Sequence, residues 1–165
     1  RTINDKVRQQ ALDWSILFWG NYARQKSLQL NNQSWEIAKQ AKQPAEKYQA
    51  AVEMALEANS LNPGRGYVLN TLGIAQYRAQ KYQEALATLT HAEKLNAPLY
   101  GGVSFRDLVF LAMTHFQLNS KTKAAGLLKK VKALAKTKKV RNADLERFIK
   151  EAETLIESPP PEKKK

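Results

Sequence analysis

The feature that most constrains the fold is an internal repeat of tens of residues, because each copy of such a repeat must bury its apolar face against a neighbouring copy. Four slots of apolar or small residues recur after 34 residues and again after a further 39. The three sets are Trp35, Ala51, Ala55 and Ala58; Leu69, Ala85, Leu89 and Ala92; and Leu108, Ala124, Leu128 and Val131. The five extra residues of the second interval fall in the turn-rich segment 96–104, where a loop accepts an insertion at low cost.

The spacing inside each copy is helical, since apolar and small residues recur three and four positions apart. It predicts helices at about 5–19, 34–42, 46–59, 67–79, 82–95, 105–118, 121–136 and 142–157. Two antiparallel helices need a place where their backbones approach closely, and we expect Gly73 to face Ala85 there, with Leu72 and Leu89 on either side.

The best copy, Leu69, Leu72 and Gly73 followed by Ala85, Leu89 and Ala92, resembles the tetratricopeptide repeat (TPR) family. The likeness covers about residues 32–135, although Lys39 takes the glycine slot of the first copy. It implies an all-α, TPR-like superhelix of about three antiparallel helix pairs with an N-terminal and a C-terminal capping helix. We therefore expect a capping helix and linker at 1–31, the repeat domain at 32–158 and a disordered basic tail at 159–165.

A narrower likeness extends over nearly the whole chain. The stretches "LNNQSWEIAK", "DLVFLAMTHFQL" and "ADLERFIKEAETLIE" look like the C-terminal TPR module of planctomycete-type serine/threonine kinases or WD40-repeat proteins. That likeness implies a non-catalytic scaffold or adaptor appended to a larger signalling protein. The chain also begins at Arg1 without a methionine, and we expect it to be a piece of a longer protein.

The repeat resemblance implies a concave groove, lined by the leading helix of each pair, that binds a peptide or helix of a partner protein. The groove candidates are Tyr67, Asn70, Ile74, Tyr77, Arg78, Arg106, Val109, Met113 and Phe116. Tyr, Met and Arg are enriched at interfaces, which favours this interpretation. The alternative is that some of these side chains, Phe116 and Ile74 among them, belong to the core between helices.

Positive charge is concentrated in one place. The net charge is +12, and residues 121–141 hold nine basic and no acidic side chains. Lys129, Lys132 and Lys136 form one stripe on the predicted helix. Such a stripe suits phosphate groups, but no aromatic residue interleaves it to stack on bases. A solvated outer face, docking of an acidic protein segment, and binding of nucleic acid or anionic lipid all remain open.

The N-terminal segment is strongly apolar. Val7, Ala11, Trp14 and Phe18 lie on one line of a helix, with Leu12, Ile16 and Trp19 beside them. We expect this helix to cap the first repeat by packing on the Trp35 unit, with a membrane or partner anchor as the alternative.

Catalysis and metal binding find little support in the sequence. The chain has no cysteine, which excludes a disulfide framework and a thiol nucleophile. His91 and His115 lie on different predicted helices and have no metal-ligand spacing, so we expect no catalytic residue, no metal and no cofactor. No apolar run is long enough to span a bilayer, and we expect a cytoplasmic location.

Overall fold

The computed structural model describes residues 4–137 and 142–157, and within them the chain is all-helical, with no strand. The helices are α1 Asp5–Ala38, α2 Ala45–Leu61, α3 Gly66–Arg78, α4 Tyr82–Asn96, α5 Phe105–Gln117, α6 Lys121–Thr137 and α7 Ala143–Glu157. A short 3₁₀ turn, Ala97–Tyr100, follows α4. The predicted all-α fold class is confirmed.

Consecutive helices pair as hairpins. In the first hairpin the Ser27 and Ser34 hydroxyls each donate a 2.7 Å hydrogen bond, to the backbone carbonyls of Ala58 and Ala51 respectively. From Ser27 to Ser34 the chain advances along α1, while the bonded carbonyl moves back along α2 from Ala58 to Ala51, so the two helices run antiparallel. Both hydroxyls are buried, and these bonds satisfy them without water.

The recurring slots of the sequence form the core of the hairpins. Eleven of the twelve side chains are buried, and Trp35 is half-buried. Chain turns are equivalent as well: Gln80 and Asn119, which are 39 residues apart, both adopt a φ of 61° between the helices of their hairpins. In each turn the following amide donates back into the preceding helix, from Lys81 to the Gln76 carbonyl and from Ser120 to the His115 carbonyl.

Gly73 marks a close approach between α3 and α4, but its neighbour differs from the expected one. A Cβ built at Gly73 would lie 2.6 Å from Cγ, 2.8 Å from Cδ2 and 3.2 Å from the backbone nitrogen of Leu89. The nearest partner is therefore Leu89 rather than Ala85, one helical turn away. Side chains on a helix lean toward its N-terminus, which brings Leu89 over the glycine.

Helix α1 departs most from the prediction. We expected two helices joined by a linker, whereas one continuous helix of 34 residues runs from Asp5 to Ala38. Its C-terminal half buries Ser27, Leu30 and Ser34 against α2, so Ser27 and Leu30, which lie in the predicted linker, are packed residues of a helix. The N-terminal half does not pack on the Trp35 unit, and Trp14 is 75% exposed. The expected boundary at residue 31 falls inside this helix.

Two predicted segments, the basic tail at 159–165 and the end of the lysine-rich run at 138–141, lie outside the described residues. Within the described ranges, no helix combines the length and the apolar character needed to cross a bilayer.

Candidate functional site

Helix α7 packs against α5 and α6, and its side chains meet three large side chains, one each from α1, α3 and α5. These side chains are Trp35, Arg78 and Phe110, and we call the surface they form the inner surface. The ring of Phe148, which projects from α7, meets Phe110 at 5.0 Å and Trp35 at 6.0 Å between centroids. Both contacts are edge-to-face, the arrangement that aromatic rings favour.

Arg78 supplies the polar contact of the inner surface. Its guanidinium holds the Glu151 carboxylate of α7 in a two-pronged ion pair, with Nη2 and Oε2 2.8 Å apart. The Nε group donates to the Ala38 carbonyl at 3.1 Å, and the guanidinium carbon lies 5.3 Å from the Phe110 ring centroid. The Arg78 side chain is 5% exposed, so this pair is shielded from water and strengthened accordingly.

The sequence of α7 explains why it docks in this way. Leu145, Phe148 and Ala152 are spaced three and four apart and are all buried, which gives the helix one apolar face. Its N-terminus is capped by Asn142, whose Oδ1 accepts a 2.9 Å hydrogen bond from the Leu145 amide. The Arg147 guanidinium also donates a 3.2 Å hydrogen bond to the Lys39 carbonyl.

The nine predicted groove residues fall into two classes. Five are buried between helices and present no accessible face in this arrangement, namely Asn70, Ile74, Tyr77, Val109 and Met113. Tyr67 and Arg106 are exposed and Phe116 is half-buried, whereas the Arg78 side chain is only 5% exposed. The structure brings only part of this set to the inner surface. Arg78 contacts α7 directly, Tyr77 packs on Phe110 at 5.6 Å, and Arg106 lies 5.1 Å from the Trp35 ring.

Asn70 belongs to a buried polar network rather than to a groove. Its Nδ2 donates to Asp107 at 2.6 Å, and Asn96 donates to the same carboxylate at 2.9 Å. Burial raises the pKa of Asp107, and hydrogen bonds from Ser104, Asn96 and Asn70 oppose that shift. The network ties α3, α4 and α5 together, so these residues hold the hairpins in register.

Sequence reasoning missed Phe110, Phe148 and Glu151 as members of this site. In the sequence, Glu151 has the spacing of a solvated helix face, as do Glu153 and Glu157. No local signal identifies its partner, because 73 residues separate Arg78 from Glu151. The amphipathic pattern of α7 was available, but that pattern does not say which surface the apolar face covers.

An open pocket of about 390 Å³ adjoins the inner surface at the N-terminal end of α7. Trp35, Tyr100, Arg106 and Leu145 are among its lining residues. It combines apolar walls with one cationic and one acidic side chain, Arg106 and Asp144, and it leaves room beside α7 for a further aromatic group.

The lysine stripe is partly neutralised by α7. Lys132 lies 2.6 Å from a Glu153 carboxylate oxygen and 3.3 Å from one of Glu157. Hydrogen bonds to these two carboxylates raise the pKa of Lys132. Lys129 and Lys136 are exposed and have no ion-pair partner among the described residues. The surface therefore offers a phosphate group fewer free cations than the sequence suggested.

Among residues 4–137 and 142–157, no group of three or more His, Cys, Asp or Glu side chains could hold a metal ion. His115 is buried, and burial followed by the charge of Lys123 lowers its pKa. No model of a known protein family matches the chain, and no curated protein shows significant similarity to it.

Proposed function

We propose that the chain is a non-catalytic protein-interaction module of the TPR type, which binds a helix of a partner protein on the inner surface. The observation that carries the proposal is the docking of α7, whose Phe148 and Glu151 meet Phe110 and Arg78. The three hairpins with equivalent buried slots support the repeat architecture. The resemblance further suggests a larger signalling protein and a cytoplasmic location.

The chemistry of the inner surface defines the partner. An aromatic side chain fills the space between Trp35 and Phe110, and a carboxylate three residues later reaches the Arg78 guanidinium. Residues three and four apart share one face of a helix, so a single helical segment can supply both groups. This is helix-in-groove recognition with one aromatic anchor and one charged contact.

Helix α7 already occupies the surface, so a partner helix must compete with it. The resident helix is covalently attached and acts at a high effective concentration. The apparent affinity for a partner is reduced by the fraction of molecules in which the surface is open. The affinity of the partner therefore depends on how firmly the Arg78–Glu151 pair and Phe148 hold α7 in place.

A helical-peptide array probed with the purified chain tests this function. We expect wild-type chain to capture peptides with an aromatic residue and a carboxylate three positions later. Arg78→Lys keeps the charge but loses the two-pronged geometry, so it should lose those peptides. Arg65→Lys makes the same change at an exposed position and serves as the control. Capture of identical peptides by all three proteins would remove the inner surface from the proposal.

A second candidate function is binding of a polyanion along α6. The observation that favours it is the exposed pair Lys129 and Lys136, which line an open depression with Lys132. The ion pairs of Lys132 with Glu153 and Glu157 work against this function. A salt titration separates the two candidates, because phosphate contacts release counterions and helix binding through an aromatic anchor does not.

A further inference from the structure

The N-terminal half of α1 carries an exposed line of apolar side chains. Val7, Ala11, Trp14, Phe18 and Tyr22 are spaced four, three, four and four residues apart, and we call them the aromatic stripe. Each of the four large side chains is more than half exposed, with Trp14 at 75% and Phe18 at 64%. Isolated exposed apolar residues are ordinary, but a contiguous line of this size marks an interaction surface.

The stripe points away from the folded body. On a helix of 3.6 residues per turn it lies roughly 180° around α1 from the buried Ser27, Leu30 and Ser34. Helix α2 ends at Leu61, just past the level of Ser27, so the stripe runs along a stretch of α1 that projects beyond the hairpin. Farther along the same face the side chains are polar, at Gln25, Gln29 and Asn32. The stripe therefore ends along the helix at Tyr22, while around the helix Leu12, Ile16, Leu17 and Trp19 are exposed as well.

The stripe is complementary to itself when it is reversed. Suppose that two such helices lie antiparallel and that the numbers of facing residues, one from each copy, sum to 29. Val7 then meets Tyr22, and Ala11 meets Phe18. Trp14 then lies at the centre, beside Trp14 of the other copy. A smaller side chain thus faces a larger one at both ends of the line, and the two tryptophans lie side by side at its centre, as close packing allows. A twofold interface needs this kind of self-complementarity, because each residue contacts a counterpart that contacts it in return.

The folded bodies also permit this pairing. In the same register Arg24 of one copy lies level with Asp5 of the other, so each body begins where the opposite helix ends. The two bodies sit at opposite ends of the pair and do not overlap. The face of α1 that packs on α2 is turned away from the contact.

We propose that α1 pairs two copies of this chain as an antiparallel, twofold dimer through the aromatic stripe. A buried aromatic side chain covers roughly 150–250 Å², so three aromatics from each copy, about half covered, contribute on the order of 600 Å². The flanking apolar side chains bring the total to roughly 1,000 Å², at the lower end of specific interfaces. The dimer is therefore reversible and depends on concentration.

The first experiment measures the mass of the full chain in solution across a concentration series, by light scattering or sedimentation. The monomer mass is 18.7 kDa, and we expect the wild-type mass to rise toward twice that value. Trp14→Ser should remain monomeric at every concentration. Ile16→Ser removes an equally exposed apolar side chain, at 69%, from another face of the same helix and should dimerise like wild type.

The second experiment tests the orientation by disulfide cross-linking, for which the chain is suited because it contains no cysteine. Ala11→Cys mixed with Phe18→Cys should form a mixed disulfide on oxidation, whereas neither variant alone should cross-link. Cross-linking of each variant with itself would indicate parallel helices and would overturn the proposal.

Other occupants of the stripe give different results. A wild-type chain that stays monomeric, while it floats with phosphatidylserine-containing vesicles, would mean that lipid covers the stripe instead. Dimers that survive Trp14→Ser but not Ile16→Ser would move the contact to the other face of α1. Either result contradicts pairing through the aromatic stripe.

Discussion

The contact between α3 and α4 predicts that one substitution, glycine to alanine, has opposite effects at two helical positions. At Gly73 the new methyl group would lie 2.6 Å and 2.8 Å from side-chain carbons of Leu89. It would also lie 3.2 Å from the Leu89 backbone nitrogen, so rotating the leucine cannot remove the whole overlap. Leu89 is fully buried, and neighbouring side chains limit its movement.

Two free-energy contributions of opposite sign determine how much Gly73→Ala changes the stability of the fold. Inserting a methyl group into a packed core costs about 1–3 kcal/mol. Replacing glycine by alanine inside a helix stabilises the helix by about 1 kcal/mol. Because the backbone of α4 must move, we take the upper part of the packing range and expect Gly73→Ala to lower the free energy of unfolding by about 1–2 kcal/mol.

Gly126→Ala is the matched control. Gly126 lies inside α6, and a Cβ there meets no heavy atom within 4 Å. Only the higher helix propensity of alanine applies here, so Gly126→Ala should raise the free energy of unfolding by up to about 1 kcal/mol. Urea unfolding at 25 °C measures both variants. In a Leu89→Ala background the two side-chain contacts are absent and only the 3.2 Å backbone contact remains, so Gly73→Ala should cost less than it does in wild type. Equal stabilisation by both substitutions in the wild-type background would refute the close approach.

Four further predictions concern the turns, the core, alkaline pH and the lysines. Gln80→Gly should raise the free energy of unfolding by about 0.5–1 kcal/mol in urea, because glycine adopts the turn's positive φ without steric cost; no gain would contradict the turn geometry. Phe148→Ala should lower it by about 3–5 kcal/mol, since this side chain is fully buried among aromatic rings; a loss below about 1 kcal/mol would mean that α7 contributes little. Burial raises the pKa of Tyr77 from 10.0 to about 12, so the folded state holds this proton more tightly than the unfolded state does. The contribution of Tyr77 to the free energy of unfolding should therefore be constant below about pH 10 and decrease between about pH 10 and 12. A Tyr77→Phe variant should lose less thermal stability than wild type over that pH range. Replacing Lys129 and Lys136 together by Gln should lower the slope of log affinity for a model polyanion against log salt by about 2, and an unchanged slope would exclude these lysines from phosphate contacts.

The helix pairs were predictable from the sequence, because packing between neighbouring helices requires apolar and small residues at regular intervals along the chain. The slots that contain Ala51, Ala85 and Ala124 recur at fixed intervals, and each of these side chains is buried. The same periodicity predicted α2 to α7 closely. It also located the close approach at Gly73, although the partner residue lay one turn from the expected one.

The candidate site was less predictable, because periodicity shows that a residue faces inward and not what lies against it. Ile74 and Met113 have the spacing of groove residues and the spacing of core residues at the same time, and both are buried. Whether Arg78 meets solvent or a carboxylate depends on α7, which arrives from a distant part of the chain. In α1, Ser27 fell in the predicted linker because the carbonyl that it binds, that of Ala58, belongs to α2 and leaves no local signal.

The most direct test of the central claim is a titration of an opened inner surface with a helical peptide. The full chain would carry Phe148→Ser and Glu151→Gln, which weaken the hold of α7, and circular dichroism would verify that it stays folded. A peptide of residues 142–157 would be added up to millimolar concentration and followed by NMR. We expect saturable shifts at Trp35 and Phe110, at least tenfold weaker affinity in wild type, and loss of binding when Arg78→Lys is added. A folded, opened chain that shows no saturable shifts would contradict the claim that the inner surface binds helices.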